Sequence, residues 1–187
     1  MNQLENNIVH LRALEPGDLD FLFEVENDMT FWEVSNTQKP FSKFILQQYL
    51  DNSHTDIYEA KQLRLVITRK ENQKKIGLVD LFDFDPFHKR LGLGILILEA
   101  FQNQGFAFET IQLVKEYAFK FFDLHQIYAH VPLTNKPSLQ LFEKSGFTCN
   151  GIQKDWLKLE GGFTDVALYQ IFNTKKKKKN RLFCFSL

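Results

Sequence analysis

The chain has 187 residues, with 23 Lys and Arg against 23 Asp and Glu, and so carries no net charge. That length suits one domain with a sizeable core. The charge balance excludes a strong global field for nucleic acid or an anionic membrane.

Two cysteines, Cys149 and Cys184, make neither a disulfide framework nor a metal-ligand pattern, and Cys149 reads as a small core residue. No apolar run reaches membrane-spanning length. No apolar segment follows Met1 as a signal peptide requires, so a cytoplasmic protein is expected.

Ile8 to Leu14 alternates as a first strand and ends at Glu15-Pro16-Gly17-Asp18. Pro16 suits a first helical position, and Leu19, Leu22, Phe23 and Glu26 follow at helical spacing. Asn27 to Lys39 is an irregular polar and aromatic loop containing Glu33. Ser42 is a plausible N-cap for a second helix with Phe41, Phe44, Ile45 and Tyr49 on its apolar face. Asn52 to Gln62 reads as a long polar connection.

Leu63 to Arg69 and Ile76 to Phe84 read as antiparallel strands joined by the hairpin loop Glu71-Asn72-Gln73-Lys74. Asp80 shares a face with Leu78 and Phe82. A mid-strand carboxylate among apolar neighbours marks either a functional position or a salt-bridged edge. After Asp85 to Arg90 comes the strand Leu91 to Leu98. Gly92 and Gly94 lie on one face of it, consistent with close approach of a ligand or backbone, or with a bulge or tight packing.

The turn Gln102 to Ala107 then feeds a helix to about Phe122, its stripe formed by Ala107, Ile111, Val114, Ala118 and Phe121. Backbone N–H groups at such a helix start, with the positive end of the helix dipole, are suited to a phosphate. Ile127 to Val131 is the next strand, parallel to Leu91–Leu98 through a right-handed crossover. A helix follows from Asn135-Lys136-Pro137-Ser138 and ends at Ser145-Gly146. Gly151 to Leu159 and Phe163 to Phe172 flank the hairpin turn Glu160-Gly161-Gly162. The folded domain is expected to cover residues 1–173. Residues 174–187, with five consecutive lysines from Lys175 to Lys179, read as a disordered basic and apolar tail.

These elements carry a resemblance. Gln102-Asn103-Gln104-Gly105-Phe106-Ala107 resembles the Gln/Arg-x-x-Gly-x-Gly/Ala signature of the GNAT N-acetyltransferase superfamily. Strand before, helix after, then Asn135 to Ser138 and Leu141-Phe142-Glu143-Lys144-Ser145-Gly146-Phe147 repeat the superfamily's order. Within it, Leu11 to Glu15 with Asp18-Leu19, Ile76 to Leu81, and His88-Lys89-Arg90 resemble bacterial spermidine (diamine) N-acetyltransferases. Ribosomal-protein N-terminal acetyltransferases share much of this pattern.

The resemblance implies an α/β (α+β) fold: a mixed, mostly antiparallel sheet, a parallel pair splayed where CoA binds, and about four helices. It implies acetyl-CoA as co-substrate, no metal, and a small amine such as a polyamine as acceptor. Neither nucleic acid nor membrane is expected as a partner, and a homo-oligomer is open. It implies pyrophosphate at Gln102, Asn103, Gln104, Gly105, Phe106, Ala107 and Phe108, and pantetheine along Ile95 and Ile97 and against Asn135 and Ser138. Asp80 is the first candidate for holding or deprotonating the amine, with Glu33 and His88 behind it. Phe142 stands where the superfamily carries a proton-donating tyrosine, and Gly92 where the spermidine enzymes carry a glutamate. An acceptor at a protein N-terminus and a catalytically weak CoA-binding module therefore stay open.

Overall fold

The computed structural model describes residues 4–32, 37–159 and 161–174. Glu33, Cys184 and the lysine run Lys175–Lys179 lie outside them. The elements in chain order are β1 (Val9–Ala13), α1 (Leu19–Asn27), α2 (Lys43–Asp51), α3 (Ile57–Ala60), β2 (Leu63–Arg69), β3 (Lys75–Asp85), β4 (Arg90–Ile97), α4 (Phe106–Lys120), β5 (Gln126–Pro132), α5 (Lys136–Lys144), β6 (Thr148–Leu159) and β7 (Gly162–Phe172). The strands form one sheet in the order β1-β2-β3-β4-β5-β7-β6. Every pairing is antiparallel except β4 with β5. That exception follows from the helical crossover, which returns β5 in the direction of β4.

Each face of the sheet is covered by helices. Ile111, Val114 and Ala118 of α4 and Phe142 of α5 bury against Val79, Leu81, Leu91 and Ile127 on one face. Leu22 and Val25 of α1 and Leu46 and Leu50 of α2 bury against Val66 and Leu78 on the other. Full burial of such a side chain contributes about 2 kcal/mol. Before α1, the Asp18 carboxylate is 2 % exposed and bound by Arg12 at 2.7 Å and Lys75 at 3.0 Å. It also accepts the Glu15 N–H, closing the turn that starts the helix.

Two helices differ from the sequence reading. Ser42 does cap α2, its Oγ accepting from Ile45 N–H at 3.3 Å. The buried stripe is Leu46 and Leu50, however, while Phe44 and Ile45 are exposed. Residues four apart project on one side, and the floor supplied by α1 selects that pair. The polar connection after α2 hides the short α3. Asp56 caps it by accepting from Tyr58 and Glu59 N–H, and Ile57 anchors it in the core. Among the described residues the α-helices therefore number five. No helix among the described residues is long and apolar enough to cross a membrane.

Candidate active site

The pairing of β4 with β5 stops early. It runs through Arg90↔Gln126, Leu91↔Ile127 and Gly92↔Tyr128. Beyond that, β4 stays with β3 as far as Gly77↔Ile97, and β5 stays with β7 as far as Pro132↔Val166. The two parallel strands thus part into a gap. Leu98 N–H donates to the Ile76 carbonyl, on the β3 side. Successive residues of a strand present their backbone groups to opposite edges, so Leu93, Ile95 and Ile97 turn theirs toward the gap. The Ile97 carbonyl there accepts from Gln102 Nε2 at 3.0 Å. The N–H groups of Ile95 and Ile97 remain as an open strand edge, the type of edge that an extended ligand extends.

At the C-terminal end of that edge stands the start of α4. A short 3₁₀ turn, Glu99–Phe101, separates it from β4. Gly105 is the N-cap at φ 87, and no side chain caps the helix. The first N–H to reach a helical carbonyl is that of Glu109, bonded to Gly105 O at 3.1 Å. The preceding amides, through Phe106, Ala107 and Phe108, lack intrahelical acceptors, as the first turn of any helix does. Fifteen residues of α4 aim their dipole at this point. Gln104 Nε2 donates to the Ala100 carbonyl. The Gln102 and Gln104 side chains therefore brace the loop, and backbone supplies the donors.

Across the gap, β5 leads to Asn135, the N-cap of α5, whose Oδ1 accepts from Ser138 N–H at 3.1 Å. The capping bond uses the carboxamide oxygen. Phe142, on α5, is buried between Phe147 and Tyr169, with ring centroids 5.1 Å and 6.2 Å away. Tyr169 donates its hydroxyl to Glu143, and burial together with that carboxylate pushes its pKa up to about 12.

On the α1 and α2 side lies a cavity of about 630 Å³ whose lining includes Glu26, Phe41, Tyr49, Arg64 and Asp80. Arg64 Nε binds Asp80 Oδ1 at 2.5 Å and Nη2 binds Oδ2 at 3.1 Å. The same guanidinium bonds Glu26, and its carbon lies 5.7 Å from the Tyr49 ring centroid. Burial disfavours the Arg64 charge, but Asp80 and Glu26 outweigh it and hold the guanidinium firmly protonated. Asp80 is therefore the salt-bridged carboxylate of the two alternatives, and it faces this cavity. Glu26, Arg64 and Tyr49 join it without having been singled out from the sequence. Glu33 cannot be assigned, being outside the described residues. His88 lies in the exposed β3–β4 turn, its N–H on Asp85, apart from this cluster.

The glycines of β4 have different reasons. A Cβ on Gly92 would lie 2.2 Å from the Phe82 ring, so that glycine is tight packing. On Gly94 it would meet the Asp80 Cβ at 3.8 Å and the Phe82 ring at 3.9 Å, ordinary contacts that a small side chain could make. Tyr128, beside Gly92, packs edge-on to Phe82 and donates its hydroxyl to Asp83 at 2.9 Å. Among the described residues no cluster of His, Cys, Asp or Glu suits a metal ion.

Residues 9–148 match the family model described as an acetyltransferase (GNAT) domain. A spermidine N(1)-acetyltransferase of Vibrio cholerae is 32 % identical over 174 residues, covering 91 % of this chain and 96 % of the relative. The crystal structure of spermidine N-acetyltransferase from Vibrio cholerae in complex with CoA and spermine superposes with a TM-score of 0.81 at 28 % identity, covering 89 % of this chain and 96 % of that one. The dodecameric structure from the same organism, in an intermediate state, gives 0.75 at 31 % identity, covering 95 % and 100 %.

Proposed function

The chain belongs to the GNAT acetyltransferase family, and from that membership we propose that it moves the acetyl group of acetyl-CoA to a primary amine of a polyamine such as spermidine. The observation that carries this reading is the open edge of β4 running into the uncapped start of α4. An extended chain ending in a pyrophosphate fits that pair of features. The amides from Gly105 to Phe108 would hold the pyrophosphate. The Ile95 and Ile97 edge and the Asn135 carboxamide would hold the pantetheine arm, aiming the thioester at the apex beside Gly94. The Vibrio cholerae enzyme that matches over nearly its whole length acts on spermidine by its name, and its structure holds CoA and spermine.

The acceptor would enter from the cavity of Glu26, Arg64 and Asp80. The cavity sets two carboxylates, Glu26 and Asp80, among Arg64 and Lys39, and the carboxylates would give an ammonium chain its acceptors. The attacking nitrogen must be neutral, although a lysine-like amine has a pKa of about 10.4. The sulfur departs as a thiolate, with a thiol pKa of about 8.5 as for cysteine, so an acid at the Phe142 position is dispensable. The dodecameric relative supports a homo-oligomer. One rival has a specific observation behind it: Phe142 would also suit a module that binds CoA without turnover. Purified protein given acetyl-CoA and an amine panel decides between them. Free thiol appearing with spermidine or putrescine supports the enzyme, and tight CoA binding with no release across the panel supports the module.

A further inference from the structure

We propose that His130 is a catalytic residue, the base that accepts the proton shed by the attacking amine; this rests on the acetyl-transfer reading above. The placement follows from register. Gly92↔Tyr128 is the last pair before β4 and β5 part. Tyr128 touches Phe82, and Phe82 covers Gly92, so Tyr128 projects on the face that carries Asp80. His130, two residues on, projects on the same face, its ring 5.6 Å from that of Tyr128. It is thus the first β5 side chain past the apex on the amine side. On β4 the residue two beyond Gly92 is Gly94, which contributes no side chain to this face.

Other ionisable groups at this face are committed elsewhere. Asp80 is forked by Arg64, and Tyr128 gives its proton to a bond with Asp83. Burial and Asp83 together raise the Tyr128 pKa, which makes its anion a poor resting base. β4 offers only glycines at Gly92 and Gly94. His130 is exposed, and its side chain makes no hydrogen bond or ion pair among the described residues. An imidazole is the side chain suited to taking a proton near neutral pH. The cleft of about 800 Å³ beside it also carries Lys61, Asp83, Asp85 and Arg90, the last two paired at 3.3 Å. Asp80, Arg64, Glu26 and Lys39 are the charged groups of the cavity on the far side of the gap.

The chemistry balances as follows. The amine nitrogen forms a bond to the acetyl carbonyl carbon. The carbon–sulfur bond breaks and its electron pair leaves on the CoA sulfur. One proton of the nitrogen passes to the free imidazole nitrogen of His130 and then to solvent, leaving a neutral amide. The thiolate equilibrates with water on its own.

The test follows thiol release from acetyl-CoA with spermidine between pH 6 and 9. His130→Gln is expected to lower kcat by about 100-fold, the scale of a lost general base, with acetyl-CoA affinity unchanged within about twofold. Loss of the base is expected to make the acid limb of log(kcat/KM) shallower in the variant than in the wild type. Added imidazole is expected to restore part of the turnover of His130→Ala. A His130→Gln enzyme with kcat within about threefold and the wild-type pH profile overturns the proposal. So does a drop matched by an equal loss of acetyl-CoA affinity. A wild type that acetylates no amine overturns the acetyl-transfer reading itself, and the proposal falls with it.

Discussion

Arg64 grips both carboxylate oxygens of Asp80, Nε to Oδ1 at 2.5 Å and Nη2 to Oδ2 at 3.1 Å. A carboxylate in such a fork is a fixed charge, poorly placed to act as a proton acceptor. We propose that it anchors the incoming ammonium. Asp80→Asn removes one of the two carboxylate charges of the cavity and leaves the edge of β4 and the start of α4 untouched. The expected outcome is a KM for spermidine raised about tenfold, equivalent to about 1.4 kcal/mol, with kcat changed less than about threefold. Steady-state kinetics check it; a collapse of kcat at unchanged KM would make Asp80 the base.

Gly92 is packed under Phe82, where an added Cβ would sit 2.2 Å from the ring. Gly92→Ala is expected to destabilise the fold by about 2 kcal/mol, in the range of core overpacking. Phe82→Leu makes room, so the same substitution in that background is expected to cost less than about 1 kcal/mol. Urea melts of the four proteins of this double-mutant cycle measure the difference.

Asp18 links the fold to pH. Burial raises its carboxyl pKa, but Arg12, the Glu15 amide and Lys75 outweigh burial and hold it well below the usual carboxylate range. A carboxyl whose folded pKa is depressed contributes fully above its unfolded value, about 3.9, and loses that contribution as acid protonates it in the fold. Asp18→Asn is expected to cost about 3 kcal/mol at pH 7, since Arg12 and Lys75 lose their partner. The gap between wild type and variant is expected to narrow below about pH 4. Equal stability at pH 7 would contradict the assignment.

Phe142 lies among Phe147 and Tyr169, 3 % exposed. Phe142→Tyr restores the superfamily's hydroxyl, but in an apolar setting. It is expected to lower stability by about 1 kcal/mol and to raise kcat less than about tenfold, because the thiolate leaves without assistance. A gain of about a hundredfold would show that an acid is limiting.

The elements proposed to hold CoA were legible in the sequence because their signals are local. Gly105 as an N-cap, the buried stripe of α4 and the N-cap at Asn135 are each carried by one short run of sequence. The amine side was not, because it is built across strands. Arg64 meets Asp80 only through a bulge between Ile67 and Thr68. Thr68 opposes Lys75, and an unbroken ladder from there would set Arg64 against Val79, on the other face. Glu26 joins from α1 through tertiary packing alone. The gap between β4 and β5 is likewise invisible in either strand, since it is a property of where their pairing ends. Asp80 could be singled out as a misplaced carboxylate, but nothing local named its partner.

We propose that the uncapped start of α4 grips the pyrophosphate of acetyl-CoA. Gly105 sits at φ 87, a conformation that a β-branched residue resists, and open space surrounds it. Gly105→Val thus disturbs the amide array without a clash. Titration of the folded variant with acetyl-CoA is expected to show affinity reduced about 30-fold, near 2 kcal/mol. An affinity unchanged within about twofold would contradict the claim.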